Sequence, residues 1–146
     1  MKLSSRGHYG LMAMVYLAQK FEQGPTPIKT IAAAEEIPEQ YLEQIFVDLR
    51  RAGLLSSVRG ARGGYLLGQP PETINVGQVV KVLEGEIAPV ECLHTTHGEN
   101  AESCCSKTDH CSTRVVWEKL RDTMVAVLDD ITLQDIVSGD SKLFAK

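Results

Sequence analysis

The sequence lacks any apolar run long enough to cross a membrane. The longest one near its start, residues 11–18, falls far short of the roughly 20 residues that a spanning helix needs. The sequence also has no secretory signal with a basic flank, a long apolar stretch and a cleavage site. Internal repeats and low-complexity segments are absent too. We therefore expect a cytoplasmic protein that does not bind a membrane.

The chain has no overall excess of basic charge, and its formal net charge is −4. The balance differs, however, between the two halves. Residues 1–68 carry eight Lys/Arg and six Asp/Glu, a net charge of +2, whereas residues 69–146 carry seven and thirteen, a net charge of −6. The basic excess is concentrated at Arg50, Arg51, Arg59 and Arg62. Such a patch is sufficient for contact with DNA, because attraction to phosphates acts within about one Debye length.

The apolar spacing predicts a mainly helical chain with one small β-hairpin. Thr26 is the expected N-cap of the second helix, with Pro27 at its first position. We expect helices over about residues 5–21, 28–35, 38–52, 76–83 and 112–130, and strands over 54–58 and 65–68. Three short helices followed by a hairpin are typical of a winged helix-turn-helix domain. The predicted organisation is a DNA-binding domain (1–68), a connecting helix (69–91), a cysteine-rich loop (92–111), and a dimerisation helix with a C-terminal tail (112–146).

The third predicted helix offers polar side chains suited to reading DNA. Gln40 and Gln44 can read adenine, and Glu43 can accept from the amino group of cytosine while repelling phosphates at wrong sites. Arg50 lies toward the end of the same helix, where a cation can contact phosphate. The alternative interpretation is an ordinary solvated helix face.

The hairpin tip is basic and rich in glycine. Arg59 and Arg62 can contact phosphates or enter the minor groove, and Gly60 permits close approach to a backbone. The segment lacks the Gly-Lys-Ser/Thr ending of a nucleotide-binding loop and does not lead into a helix. A plain hairpin turn with incidental arginines would also fit the pattern.

All four cysteines lie in residues 92–111, with three of the four histidines, His94, His97 and His110. A chain of 146 residues buries enough surface to fold without disulfides, so clustered cytoplasmic cysteines favour metal or iron–sulfur ligation. Zinc stays open, although no CxxC knuckle is present. Inert surface thiols would also fit the pattern, as would a catalytic pair of His110 with Cys111, although the sequence suggests no substrate pocket for such a pair.

Sequence blocks along nearly the whole chain carry a specific resemblance. They are residues 1–10 (MKLSSRGHYG), 41–46 (YLEQIF), 49–54 (LRRAGL), 57–68 (SVRGARGGYLLG), 82–85 (VLEG) and 132–136 (TLQDI). On these blocks the chain resembles the Rrf-type winged-helix transcriptional regulators, the family that contains IscR, NsrR and CymR. The resemblance implies a homodimer held by the long C-terminal helix. Each protomer would insert its third helix, including Tyr41, into the major groove of a double-stranded operator.

The resemblance also implies an iron–sulfur cluster held by Cys92, Cys105 and Cys111, as in the IscR-like branch. Arg114 stands three residues after the last cysteine, where that branch has a histidine ligand, and arginine cannot ligate iron. The fourth ligand is therefore open among Cys104, a loop histidine, and His8 reaching across from the partner subunit. We expect a [2Fe–2S] rather than a [4Fe–4S] cluster.

We therefore predict a DNA-binding regulator, not an enzyme, whose operator affinity an iron–sulfur cluster controls. The resemblance alone points to genes of cluster assembly or cysteine supply. The alternative is a metal-free, CymR-like repressor controlled by a partner protein.

Overall fold

A computed structural model of the chain describes residues 3–94, 110–139 and 143. Its first three helices are α1 (Ser5–Gln19), α2 (Ile28–Ala34) and α3 (Glu39–Arg51). The strands β1 (Leu55–Val58) and β2 (Gly64–Leu67) follow, and then α4 (Val76–Glu84), α5 (Arg114–Asp130) and α6 (Leu133–Ser138). Short 3₁₀ turns cover Pro71–Thr73 and Glu91–Leu93. This architecture confirms the predicted fold class, a mainly helical winged helix-turn-helix chain with a β-hairpin.

The core of the predicted DNA-binding domain, residues 1–68, lies between α1 and α3. Its apolar residues on α3 are Leu42, Ile45, Phe46 and Leu49, all buried as their helical spacing predicts. Met14 and Leu17 of α1 are buried in the same apolar cluster. Phe21, which the spacing placed inside the first helix, lies beyond the end of α1 and is exposed.

The hairpin pairs β1 with β2 in antiparallel register, from Leu55 opposite Leu67 to Val58 opposite Gly64. Thr26 adds one more bridge, because its N–H donates to the carbonyl of Tyr65 at 2.9 Å and its carbonyl accepts from the N–H of Tyr65 at 2.8 Å. The prediction that Thr26 caps α2 is therefore wrong. Pro27 occupies the N-cap position without a side-chain hydrogen bond, since the extended backbone at Thr26 is committed to the hairpin.

The C-terminal part of the chain packs against α1 through α6, a helix that the sequence pattern does not predict. Capping boxes begin both α4, with Asn75 and Gln78, and α6, with Thr132 and Asp135. Asn75 and Thr132 also form an antiparallel bridge, in which the N–H of Val76 donates to the carbonyl of Ile131 at 2.8 Å. Leu133 is fully buried in the main core. The end of α5 is thereby tied to the start of α4.

Helix α5 has no buried residue in the single chain. Five of its large apolar side chains are more than a third exposed to solvent: Val115 (65%), Val116 (55%), Trp117 (36%), Leu120 (42%) and Val127 (54%). An apolar face this large on a 17-residue helix is unusual unless another surface covers it. Across the described ranges, no helix combines the length and apolarity needed to cross a membrane.

Candidate nucleic-acid interface and cysteine segment

The solvent face of α3 carries the side chains that the sequence predicts to read DNA. Gln40, Glu43, Gln44 and Arg50 are all exposed, on the face opposite the buried apolar stripe. Arg50 and Arg51 lie in the last turn, where their charge also complements the negative end of the helix dipole. The structure thus leaves this helix free to enter a groove, with its amides and carboxylate toward the N-terminus and its cations toward the C-terminus.

Tyr41 differs from its neighbours because it is half-buried. Its ring meets the ring of Tyr9 on α1 edge to face, with centroids 5.8 Å apart. The aromatic pair therefore anchors α3 on α1, and Tyr41 has less of its surface available for a partner than Gln40 or Gln44.

The tip of the hairpin exposes Arg59, Gly60 and Arg62. Gly60 has φ +113°, a conformation that L side chains rarely adopt, so a side chain at this position would strain the turn. Its carbonyl accepts a hydrogen bond from the N–H of Gly63 at 3.0 Å, which closes the tip. The turn therefore holds both arginine side chains in solvent, beyond the end of the paired strands.

Three residues that the sequence does not single out, Ser57, Asp48 and Arg6, form side-chain contacts on or near α3. Arg50 donates from Nη1 to Oγ of Ser57 at 3.3 Å, so a side chain of α3 reaches the hairpin. Asp48 accepts from Arg51 at 3.4 Å and also forms an ion pair with Arg6 of α1. The Asp48–Arg51 spacing is a detectable helical pattern. The Arg6 pair joins residues 42 positions apart, so nothing local in the sequence indicates it.

Two of the three predicted ligand cysteines lie in the described residues. Cys92 is a half-buried free thiol in the 3₁₀ turn Glu91–Leu93, and Cys111 is a half-buried free thiol just before α5. The Thr113 hydroxyl lies 3.3 Å from Sγ of Cys111. Hydrogen bonds from the side chain and backbone of Thr113, followed by weaker effects of Arg114, lower the pKa of the Cys111 thiol. This environment favours the thiolate, the form that binds metals.

Of the remaining ligand candidates, only some lie in the part of the chain that the structure describes. Cys105, Cys104 and His97 lie outside the described residues. His8 is exposed on the first turns of α1, and His110 is exposed beside Cys111. His94 has Nδ1 4.0 Å from Oε2 of Glu86. Over residues 3–94 and 110–139, no group of three or more His, Cys, Asp or Glu is arranged to hold a metal ion.

Arg114, which cannot ligate iron, forms an ion pair with Glu118 on its own helix. Its Nε donates to Oε1 of Glu118 one turn along α5, at 2.7 Å. The position that holds a histidine in the IscR-like pattern therefore contributes here to the first turn of the long helix.

Comparisons with known proteins agree with this arrangement. A family model described as "Rrf2: Iron-dependent Transcriptional regulator" matches residues 3–139. The HTH-type transcriptional regulator CymR of Bacillus subtilis (strain 168) is 44% identical over 138 residues, 94% of this chain and 91% of that protein. The HTH-type transcriptional regulator IscR of Escherichia coli O1:K1 / APEC is 36% identical over 143 residues, 98% of this chain and 84% of that protein.

Solved structures of such relatives share the fold. The structure of CymR (YrzC), the global cysteine regulator of B. subtilis, matches with a TM-score of 0.76 and 43% identity, over 94% of this chain and 97% of that one. T. potens IscR matches with a TM-score of 0.76 and 40% identity, over 95% and 88%. Similarity over the whole chain therefore does not favour the IscR-like branch over CymR.

Proposed function

This chain belongs to the Rrf2 family of transcriptional regulators, and we propose that it binds operator DNA as a homodimer whose affinity is set by an iron–sulfur cluster. The observation that carries the DNA-binding part is the exposed polar face of α3 beside an exposed arginine-bearing hairpin, joined by the Arg50–Ser57 hydrogen bond. We propose that it acts in the cytoplasm and that its targets are genes of cluster assembly or cysteine supply.

The two parts of this surface would divide the work of recognition. Gln40, Glu43 and Gln44 lie where α3 would meet base edges, and amides and carboxylates discriminate bases in the major groove. Arg59 and Arg62 at the hairpin tip, with Gly60 allowing close approach, would contact phosphates or the minor groove. Arg50 would contact the DNA backbone between the sites of α3 and the hairpin tip. Tyr41 would act mainly by packing α3 against Tyr9 of α1.

The exposed apolar face of α5 supports the homodimer. Its exposed apolar residues would be covered by α5 of a second copy, because an isologous interface pairs the same surface on both subunits. A dimer then places two α3 helices on successive major grooves, roughly 34–36 Å apart.

The chemistry of the cysteines fits an iron–sulfur group. Cys92 and Cys111 are free and half-buried, and Cys111 has the lowered pKa of a thiol disposed to ligate. Cys92, Cys105 and Cys111 would hold the cluster. The fourth ligand would be Cys104, a loop histidine, or His8 reaching across from the partner subunit. When bound, a [2Fe–2S] cluster would supply a redox-sensitive iron centre with one displaceable ligand.

The chain's own residues would convert ligation into a change in DNA affinity. Only Ser112 and Thr113 separate Cys111 from α5, so restraining this thiol restrains the start of that helix. Restraining Cys92 would likewise fix the 3₁₀ turn, whose last residue, Leu93, is already buried. Because α5 would join the two protomers, its placement would set the distance between the α3 helices and shift the population of dimers that fit the operator.

A second candidate is a metal-free repressor controlled by a partner protein. The 44% identity to CymR favours it, since this value exceeds the 36% identity to IscR. Under this alternative the DNA-binding surface and the dimer are the same, and the cysteines have no role in control.

Anaerobic purification decides between the two. The cluster hypothesis predicts a brown protein containing iron and acid-labile sulfide, and a colourless Cys92→Ala/Cys111→Ala variant as its matched control. Both proteins are then used to select operators from a random duplex library. A wild-type protein that stays colourless after anaerobic reconstitution, yet selects a palindromic duplex, would establish the metal-free alternative. A protein that selects no sequence would refute DNA-specific regulation.

A further inference from the structure

The first turns of α1 contact both the recognition helix α3 and the end of α4. Glu84, the last residue of α4, accepts hydrogen bonds from the hydroxyl of Ser4 and, at 2.9 Å, from the N–H of Gly7. Arg6, between these two residues, forms the ion pair with Asp48 of α3. One helical turn thus holds a carboxylate from each of two neighbouring helices.

The packing around this turn leaves little freedom. Gly10 lies so close to α4 and α3 that an added Cβ would collide with Leu83 and come within 3.3 Å of Cγ2 of Ile45. The Tyr9–Tyr41 ring contact adds a second attachment between α1 and α3. A shift of α1 relative to α4 would therefore disturb α3 as well, because closely packed elements transmit strain.

We propose that Arg6 is a positioning residue for operator recognition, and that the first turn of α1 connects the end of α4 mechanically to α3. The inference rests on the proposed DNA-binding function and deepens it. Arg6 itself would not read bases. Instead, its ion pair with Asp48 would fix the rotation of α3 about the helix axis. That rotation determines the direction in which the side chains of Gln40, Glu43 and Gln44 point.

The chemistry of the pair supports positioning over simple attraction to DNA. The side chains of Arg6 and Asp48 are 28% and 33% exposed, and the Asp48 carboxylate holds the Arg6 guanidinium, so this cation is not free to extend to a phosphate. Asp48 also holds Arg51, which is 77% exposed at the end of α3. Loss of Arg6 would remove the connection between Asp48 and α1 and leave Asp48 with only the exposed Arg51 as an ion-pair partner among the residues that the structure describes.

Glu84 extends this connection toward the cysteine segment. Cys92 follows Glu84 by only eight residues, through the half-buried stretch 86–90. A displacement of the segment that begins after α4 would therefore act first on the Glu84 carboxylate, then on Ser4 and Gly7, and through Arg6 on Asp48.

The first test compares Arg6→Gln with Arg6→Lys, and uses Lys20→Gln, which removes the same charge at the other end of α1, as control. Affinities are measured for a duplex selected by the wild-type chain and for its scrambled version. We expect Arg6→Gln to weaken the selected duplex about tenfold and the scrambled duplex hardly at all, with Arg6→Lys retaining most of the affinity. Equal loss for both duplexes would make Arg6 a phosphate contact and overturn the proposal.

The double variant Arg6→Gln/Asp48→Asn separates positioning from charge neutralisation. If Arg6 only cancels the charge of Asp48, removal of both charges restores operator affinity, and the proposal fails. If Arg6 positions α3, the double variant stays as weak as Arg6→Gln.

Glu84→Ala tests the connection to α4. We expect it to reproduce the selective loss of Arg6→Gln, and the two changes together to be clearly less than additive, because each breaks the same connection. Full additivity would show that Glu84 and Arg6 act independently and would overturn the connection.

Amide hydrogen exchange of the free protein tests the positioning role of Arg6 independently of the proposed DNA binding. Arg6→Gln should speed amide exchange in the last turns of α3 while leaving α2 unchanged. Unchanged exchange in α3 would overturn the positioning role even if the wild-type chain binds its operator. Faster exchange in a chain that selects no duplex would support the positioning role while refuting operator binding.

Discussion

Among single residues, Arg59 makes the most direct contact with DNA under the proposed function. Its side chain is exposed at the hairpin tip, where no neighbouring element of the described chain restricts it. We expect Arg59→Ala to weaken binding to every duplex and to lower the slope of log affinity against log salt by about one, if it neutralises one phosphate. Fluorescence anisotropy over a salt series measures this. A loss confined to selected sites would assign Arg59 to the minor groove, and unchanged affinity for both kinds of duplex would remove it from the interface.

Glu43 carries the opposite charge on the same surface, so its substitution has the opposite signature. We expect Glu43→Ala to reduce the ratio of operator to scrambled affinity by about tenfold, or about 1.4 kcal/mol, mostly by improving binding to wrong sequences. Non-specific affinity should stay equal or rise, because a negative charge near phosphates is removed. Competition binding with both duplexes measures the ratio. Uniformly weaker binding with the preference intact would contradict this role.

Cys104 is the residue that distinguishes the ligand sets. Cys92→Ala, Cys105→Ala and Cys111→Ala should each abolish stable iron binding while the fold persists, because the core is built from Leu, Ile, Val, Met and Phe side chains. Cys104→Ala should resemble them only if Cys104 is the fourth ligand. Iron and sulfide content, together with circular dichroism, measures both properties. If all four variants keep their iron, the cysteines are not the ligands.

Exposure was the residue property that the sequence predicted best. The polar side chains placed on the solvent face of α3 are exposed, because burial of one stripe of a helix dictates the opposite face. The contacts of Asp48 with Arg6 and of Arg50 with Ser57 could not be predicted, since each depends on how two separate elements pack. The roles of Cys104 and Cys105 stay predictions.

On the scale of elements, helices with strong periodicity and clear end signals were predicted within a few residues. The failures have a common cause in tertiary contacts. Thr26 has the local chemistry of a cap, but its backbone pairs with Tyr65 instead. Helix α6 has six residues, too few for a periodic signal, and is held by its capping box and by burial of Leu133. Its capping pattern, Thr132 with Asp135, was the one local signal that could have revealed it.

Helix α5 gives the prediction that belongs to this scale. We expect Leu120→Asp to weaken the homodimer by at least about tenfold, because a carboxylate would be buried without a partner in an apolar interface. The monomer should remain folded, since Leu120 is 42% exposed in the single chain. Sedimentation equilibrium measures the association, with Lys119→Asp on the same turn as control. A dimer unaffected by Leu120→Asp would place the subunit interface elsewhere.

For the whole molecule, the charge is divided between a basic DNA-binding region and an acidic remainder. The net charges of +2 and −6 fall on either side of residue 68 in the sequence, so under the proposed function residues 1–68 would attract a duplex and the rest of the chain would repel it. This asymmetry would orient the approach to a duplex, and it makes a net charge of −4 compatible with binding nucleic acid.

The proposed control by a cluster would also be a property of the whole molecule. We expect titration of the reconstituted protein with oxygen or nitric oxide to bleach its visible absorption and to change operator affinity in parallel. A ligand set of three thiolates and one weaker group leaves one iron more open to attack than four thiolates would. Absorption and anisotropy are recorded on the same samples, with cluster-free protein as control. Bleaching without a change in binding would rule out the cluster as the switch.

The bridge between Asn75 and Thr132 gives α5 the mechanics of a lever. With 17 residues at about 1.5 Å each, the helix is about 25 Å long, and its fulcrum lies at the end tied to α4. Cys111 sits beyond the far end of this long arm. Confining the thiol to within about 1 Å therefore confines the angle at the fulcrum to about 2° over that length. A small force applied at Cys111 would therefore produce a larger force, and a smaller displacement, at the end of α5 that is tied to α4. Under the proposed control, ligation of Cys111 would narrow the range of angles that the protomers sample, so the two regulatory states would differ in the spread of their conformations more than in the mean position of any atom.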